Sequence, residues 1–237
     1  MKILAFDTTS PQASVALLDQ NELMGEIALA GITSHSRHLL KSIDFLLQQL
    51  SLKIQDIDGY AVAAGPGSFT GIRVGLSTAK ALSLASGCPI APVSVLKALA
   101  YKVCLTEGSP VAVMLDARKG EIFASLYDLQ AEKGLIEIIN EGAYNPRQFL
   151  AQLPENKKIY LIGSGVNVFF NHIVDFLGER AIFSQRSPFV AYEVGLLGWS
   201  ILKENKGLPA EMIEPIYYRP SQAEERRSSL GKQERNT

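Results

Sequence analysis

A short apolar run that ends in aspartate and leads into two further strand-like runs occurs twice in this chain, and that repetition restricts the fold more than any other feature. The first copy is residues 2–6 closing on Asp7, then 13–18 and 22–29; the second is 111–115 closing on Asp116, then 121–128 and 135–140. Polar turn residues such as Thr9-Ser10-Pro11 and Asp19-Gln20-Asn21 punctuate the first copy, as strand ends require. Ser34 then reads as the N-cap of a helix reaching residue 50, followed by a strand at 60–64 and a helix over 71–86. The unit is therefore β-β-β-α-β-α. The second copy continues with a helix near 146–152, a strand at 159–162 ending in Gly163-Ser-Gly165, and a helix over 167–177. Further helices are expected near 94–105 and 189–204. Internal self-similarity at this scale predicts an α/β protein made of two duplicated halves, 1–105 and 106–220. Residues 221–237 are polar, charged and nearly without large apolar side chains, a composition that predicts a disordered tail.

With 237 residues the chain has ample length to bury a core. A net charge of −1 and a pI near 6.3 supply no basic footprint for holding RNA or DNA unaided, so any nucleic-acid role needs a partner. Cys88 and Cys104 stand in apolar helical surroundings without C-x-x-C spacing and are expected as buried free thiols. The first apolar run is too brief for a signal peptide core and no segment reaches membrane-spanning length. A soluble, cytoplasmic protein is expected.

Between the strand at 60–64 and the helix that follows lies Gly65-Pro-Gly-Ser-Phe-Thr-Gly-Ile-Arg-Val-Gly75. Glycines at a strand-to-helix corner allow positive φ and close backbone approach, and free N–H groups at a helix start can hold an anion. A Walker loop needs Gly-Lys-Ser/Thr where this chain has Gly71-Ile72-Arg73, and the dinucleotide pattern needs one residue fewer between Gly67 and Gly71. Two readings stay open, a tight structural corner and a phosphate cradle.

Two helices stand out by pattern. The one from Ser34 carries Leu39, Ile43, Leu46 and Leu50 on one stripe and Leu40 and Leu47 on an adjacent one, wider than a single sheet contact requires. The one after the corner sets Gly71, Gly75, Ala79 and Ser83 four residues apart, a small-residue row that admits close approach of another helix or close packing within its own domain. His35 and His38 share a helix face at i, i+3, which falls short of the i, i+4 spacing with adjacent Glu that zinc-binding helices use. No metal is expected there. Asp7 and Asp116 are candidates for facing carboxylates of a phosphate cleft between the halves. Such a cleft wants glycine close behind each Asp, and here Thr8-Thr9 and Ala117-Arg118 stand instead; strand-end aspartates that cap a turn are the alternative. No G-x-S-x-G elbow and no nucleophilic cysteine motif occurs.

The stretches Ile3-Leu-Ala-Phe-Asp-Thr-Thr-Ser10, Ser34-His-Ser-Arg-His-Leu-Leu40, the corner from Gly65 to Gly75, Asp116-Ala-Arg-Lys-Gly-Glu121 and Pro215-Ile-Tyr-Tyr-Arg219 together resemble the bacterial TsaB (YeaZ) family, over nearly everything before the tail. The resemblance implies a duplicated actin-like, Hsp70-like ATPase fold of the ribonuclease H-like kind. It implies a non-catalytic subunit needed to form N6-threonylcarbamoyladenosine beside the anticodon of tRNAs that read codons beginning with A. The catalytic relative, TsaD, holds metal through His-x-x-x-His; the pair here is one residue short. A TsaE-type P-loop ATPase joins the assembly, tRNA is reached only through the complex, and the chain alone forms a homodimer.

Carried onto this sequence, the partner surface comprises Ser34, His35, His38, Leu39, Ile43, Leu46 and Leu50 on the first helix. On the second it comprises Gly71, Arg73, Val74, Gly75, Thr78, Ala79, Leu82 and Ser83. No cofactor is required by this reading; weak nucleotide binding, if retained, would involve Asp7, Thr8, Thr9, Ser10 and Asp116. The enzymatic alternative is an ATP-dependent small-molecule kinase of the same superfamily, resting on Asp7 and Asp116. A protease lacks any nucleophile–base pair or metal set.

Overall fold

A computed structural model describes residues 1–31, 35–108 and 110–219 of the chain. Ser34, expected as a helix N-cap, and residues 221–237, expected as a disordered tail, lie outside the described residues.

The first half is β1 (Lys2–Asp7), β2 (Ala13–Asp19), β3 (Glu22–Leu29), α1 (His35–Gln49), β4 (Gly59–Gly65), α2 (Phe69–Ser86), β5 (Ile90–Ser94) and α3 (Val95–Thr106). The second is β6 (Val111–Arg118), β7 (Glu121–Gln130), β8 (Gly134–Tyr144), α4 (Pro146–Leu150), β9 (Ile159–Ile162), α5 (Ser164–Val168), α6 (Phe170–Leu177), β10 (Ala181–Phe183) and α7 (Ala191–Lys203). The sheets run β3-β2-β1-β4-β5 and β10-β9-β6-β7-β8. In each half the first three strands form an antiparallel meander and the last two add in parallel. Numbered within its own half, each sheet has the order 3-2-1-4-5, so the duplication expected from Asp7 and Asp116 is present.

The continuous apolar runs of β1, β4 and β6 have a direct cause, because these strands are covered on both faces and successive side chains alternate between two cores. Ile3 and Ala5 enter an inner core between the sheets, whereas Leu4 and Phe6 enter an outer core under α1 and α2. On β4, Ala61 and Ala63 point inward and Tyr60, Val62 and Ala64 outward. On β6, Val111 and Val113 join the inner core while Ala112 and Met114 join a second outer core with Phe149, Val166 and Ile173.

Helix packing does not follow the division of the chain. Near the end of the second half, α7 packs on β1, β2, β4 and β5 of the first sheet, whereas α3 packs on β6, β7 and β9 of the second. Small residues permit the former: a Cβ on Gly198 would lie 2.3 Å from the Ala61 Cβ, and one on Gly195 2.3 Å from the Leu18 side chain. The two halves are thus joined through exchanged helices rather than a linker.

Three local expectations need correction. A fifth strand exists in each sheet. Neither β5, which contains Pro92, nor the three-residue β10 reads as a strand, since proline removes a ladder donor and is confined to edges; both occupy sheet edges. The helix expected over 167–177 is two, α5 and α6, broken at Phe169 with φ −109° and ψ 22°. The helix after the glycine corner begins at Phe69, with Ser68 as its N-cap.

Candidate functional site

Between the halves lies a cleft of about 760 Å³ lined by Asp7, the last residue of β1, and by Asp116, which stands two residues before the end of β6 because that strand runs on past the expected stop to Arg118. The two are held alike. The Thr9 N–H donates to Asp7 Oδ1 at 2.8 Å, and the Arg118 N–H donates to Asp116 Oδ1 at 2.8 Å. Both aspartates therefore cap their own turns. Asp7 is 4% exposed; burial pushes its carboxyl above the ordinary value, against the opposing pull of hydrogen bonds from Thr9. Asp116 additionally pairs with Arg118, 3.3 Å from Oδ2, and its N–H donates to Ser164 Oγ at 3.1 Å.

The glycine corner closes on the turn after Asp7. A Cβ on Gly67 would lie 2.4 Å from the Thr9 carbonyl oxygen, and one on Gly71 1.9 Å from that of Thr8. Ser68 donates its N–H to the Thr9 carbonyl at 2.6 Å, the Thr8 hydroxyl donates to the Gly71 carbonyl at 2.7 Å, and the Gly71 N–H donates to Ser68 Oγ at 3.3 Å. The Ser68 N–H and the Gly71 carbonyl are thereby committed to the protein's own β1–β2 turn, and the Gly71 N–H to the N-cap of α2. The second half repeats the device, since a Cβ on Gly163 or Gly165 would lie 2.4 or 2.9 Å from the Met114 carbonyl oxygen.

The two partner-surface helices both cover the outer face of the first sheet, and their stripes are used for that. Leu39, Ile43 and Leu46 are 1%, 4% and 5% exposed and lie in the outer core. Gly71, Gly75, Ala79 and Ser83 are buried as well; a Cβ on Gly75 would come 2.8 Å from Thr8 Oγ1. The small-residue row seats α2 on β4 and on the turn that follows β1. Leu50, Val74, Thr78, Leu82 and His38 are half-buried, and Arg73 is exposed. His35 lies in the first turn of α1, and Ser34 precedes the described helix. The outward apolar side chains of these helices are Leu40 and Phe45, each 55% exposed, and Leu84, 75% exposed. Leu40 was legible only as part of a second stripe, and the other two carried no signal.

Aromatic walls of the cleft were missed by pattern reasoning. Phe69 stacks on Tyr217 with centroids 5.2 Å apart, and the Arg73 guanidinium lies 3.8 Å over the Phe69 ring. Phe123, Tyr218 and Arg219 line the opposite side. The advance signals were the corner from Gly65 to Gly75, which contains Phe69 and Arg73, and the stretch from Pro215 to Arg219, to neither of which a role in the cleft was attached. Among the described residues no group of three or more His, Cys, Asp or Glu is placed to hold a metal ion, and no helix is long and apolar enough to cross a membrane.

Two halves of one strand order, exchanged central helices and paired strand-end aspartates facing a common cleft define a duplicated actin-like α/β protein. A family model described as tRNA N6-adenosine threonylcarbamoyltransferase (TsaD) matches residues 26–208. The chain is 31% identical over 227 residues to the tRNA threonylcarbamoyladenosine biosynthesis protein TsaB of Haemophilus influenzae, covering 92% of this chain and 94% of that protein. It is 29% identical over 229 residues to the TsaB of Bacillus subtilis, covering 94% and 96%. Among solved structures it is similar to a Pseudomonas aeruginosa protein described as uncharacterized with similarity to peptidase YeaZ. That likeness has a TM-score of 0.80 at 25% identity and covers 92% of this chain and 99% of that one. The chain belongs to the TsaB (YeaZ) family.

Proposed function

We propose that this chain serves tRNA threonylcarbamoyladenosine biosynthesis as a non-catalytic subunit that positions and activates a TsaD-type transferase, in the cytoplasm where its tRNA substrates are. The observation that carries the reading is the near full-length match to relatives named for that biosynthesis, on a fold whose cleft aspartates are spent on their own turns. A TsaE-type P-loop ATPase completes the assembly, and tRNA is reached through the complex. Contact is made through the outer surfaces of α1 and α2, where Leu40, Phe45 and Leu84 stand in water. Exposed apolar side chains of this size gain most from a partner. Without the transferase the same surfaces pair two copies of the chain.

The kinase alternative is disfavoured by the same geometry. A phosphate cradle needs free backbone N–H groups beside the aspartates, and those of Thr9 and Arg118 are taken by Asp7 and Asp116 themselves. The deciding experiment is threonylcarbamoyl transfer to unmodified tRNA by reconstituted partners, with this chain included or omitted. Loss of transfer on omission is expected; undiminished transfer overturns the proposal.

A further inference from the structure

After α7 the chain returns across the mouth of the cleft, and residues 213–219 are fastened on both sides of it. On the first half, Ile213 is 1% exposed in the outer core. The Ile216 N–H donates to the Ala64 carbonyl at the end of β4 at 2.8 Å, and Tyr217 stacks on Phe69 with an interplanar angle of 24°. The fit is close, since a Cβ on Gly65 would lie 2.5 Å from the Ile216 carbonyl oxygen. The next two residues grip the other half. The Tyr218 hydroxyl donates to Glu141 on β8, and Arg219 donates to the Ala117 carbonyl at 2.5 Å and pairs with Glu121 at 2.7 Å.

Glu141 does more than receive Tyr218. Its carboxylate also accepts from the Tyr127 hydroxyl on β7 and, at 2.7 Å, from Ser94 Oγ at the junction of β5 and α3. One carboxylate thus joins the first sheet, the second sheet and the returning chain. Bonds to an ionised acceptor are stronger than neutral ones, and removing that acceptor strands partly buried hydroxyls. Burial, reinforced by the charge on Glu141, pushes the Tyr127 and Tyr218 phenols up, which keeps both as donors.

We propose that residues 213–219 form a latch across the cleft, with Glu141 as its positioning residue, so that undocking the segment frees one half to rotate against the other and widens the cleft. Rotation of one domain against another about their interface is a recurrent transition, and a segment anchored to each half by consecutive residues opposes such a rotation. The inference does not depend on the proposed function.

The test uses full-length protein carrying nitroxide labels at Gln49→Cys on α1 and Glu155→Cys in the second half, with Cys88→Ala, diluted with unlabelled chain so that only intramolecular distances are read. The latched protein should give one narrow distance. Glu141→Ala and, as the milder change, Tyr218→Phe should each broaden it toward longer distances. Both should lower hydrogen-exchange protection of the Ile216 amide about tenfold or more. Ile173→Val, which weakens the outer core of the second half without touching the latch, should leave the distance narrow. A narrow distance that persists in Tyr218→Phe while Ile216 loses protection overturns the proposal, because the segment has then undocked without freeing the halves. Equal broadening in Ile173→Val overturns it too, by assigning the effect to general destabilisation.

Discussion

The Thr8 hydroxyl donates to the Gly71 carbonyl at 2.7 Å while the Thr8 carbonyl oxygen occupies the space, 1.9 Å away, where a Gly71 side chain would begin. The turn after β1 and the start of α2 are therefore one joint. Backbone cannot yield as a flexible side chain can, so Gly71→Ala must displace the joint. Overpacking of this severity costs about 3 kcal/mol. For a chain of this size that lowers Tm by roughly 6–12 °C. Urea denaturation read by tryptophan fluorescence and circular dichroism checks it, and a loss below about 0.5 kcal/mol would mean the joint is not tight.

Neighbouring residues on α1 should separate folding from assembly. Leu39 is 1% exposed and Phe45 55%. Leu39→Ala should cost about 2–5 kcal/mol of stability through lost burial and a cavity. Phe45→Ser should stay within about 0.5 kcal/mol of the parent, as exposed substitutions do, yet weaken association with a TsaD-type partner. Melting curves beside sedimentation velocity distinguish the two, and unchanged association in both Phe45→Ser and Leu84→Ser would remove α1 and α2 as the contact.

Asp7 sets a pH dependence whose sign follows from its burial. Its carboxyl is raised above the usual 3.8, so its stabilising contribution is complete below that value and is lost as pH rises through the folded-state value. Above the usual carboxylate range, holding this carboxyl buried is therefore a net cost to folding. Asp7→Asn keeps an oxygen for the Thr9 N–H and removes the carboxylate charge, so the variant should melt higher than the parent at pH 7. The gap should narrow as pH falls toward 4. A variant that melts lower at pH 7 would show that the charge itself has a partner worth more than its desolvation.

Cys104 is 6% exposed, and burial pushes its thiol up to about 12. Thiolate is the reactive form, so Cys104 should resist a disulfide reagent at pH 8 in the folded protein and react fully once guanidinium unfolds it. The same raised thiol adds stability that is complete below 9.0 and is lost as pH rises toward about 12. Rapid modification of Cys104 under native conditions would count against its place in the inner core.

Much of the fold is legible in the sequence. Central strands reveal themselves because the part of a strand covered on both faces is a continuous apolar run, as residues 3–6 of β1, β4 and residues 111–115 of β6 are. Glycines at 67 and 71 betray a corner because any side chain there meets the Thr8–Thr9 backbone. Asp7 and Asp116 are legible as strand-closing residues, and capping a turn is one of the two roles such a position offers. The edge strands β3 and β8 are legible as well, but the parallel edges β5 and β10 are not, since a strand paired on one side tolerates Pro92 or shrinks to three residues.

By itself the sequence determined the duplicated α/β plan, the central strands, the glycine corner and the family, all of which rest on local pattern or on similarity over the whole chain. Tertiary structure alone decided which surface each apolar stripe covers, that α3 and α7 are exchanged between the sheets, and that Ile216, Tyr217, Tyr218 and Arg219 bridge the cleft. Periodicity states that a side chain must leave water. Which neighbour replaces the water depends on long-range contacts, such as that of Ile216 with Ala64, whose partners carry no mark of each other in the local chain.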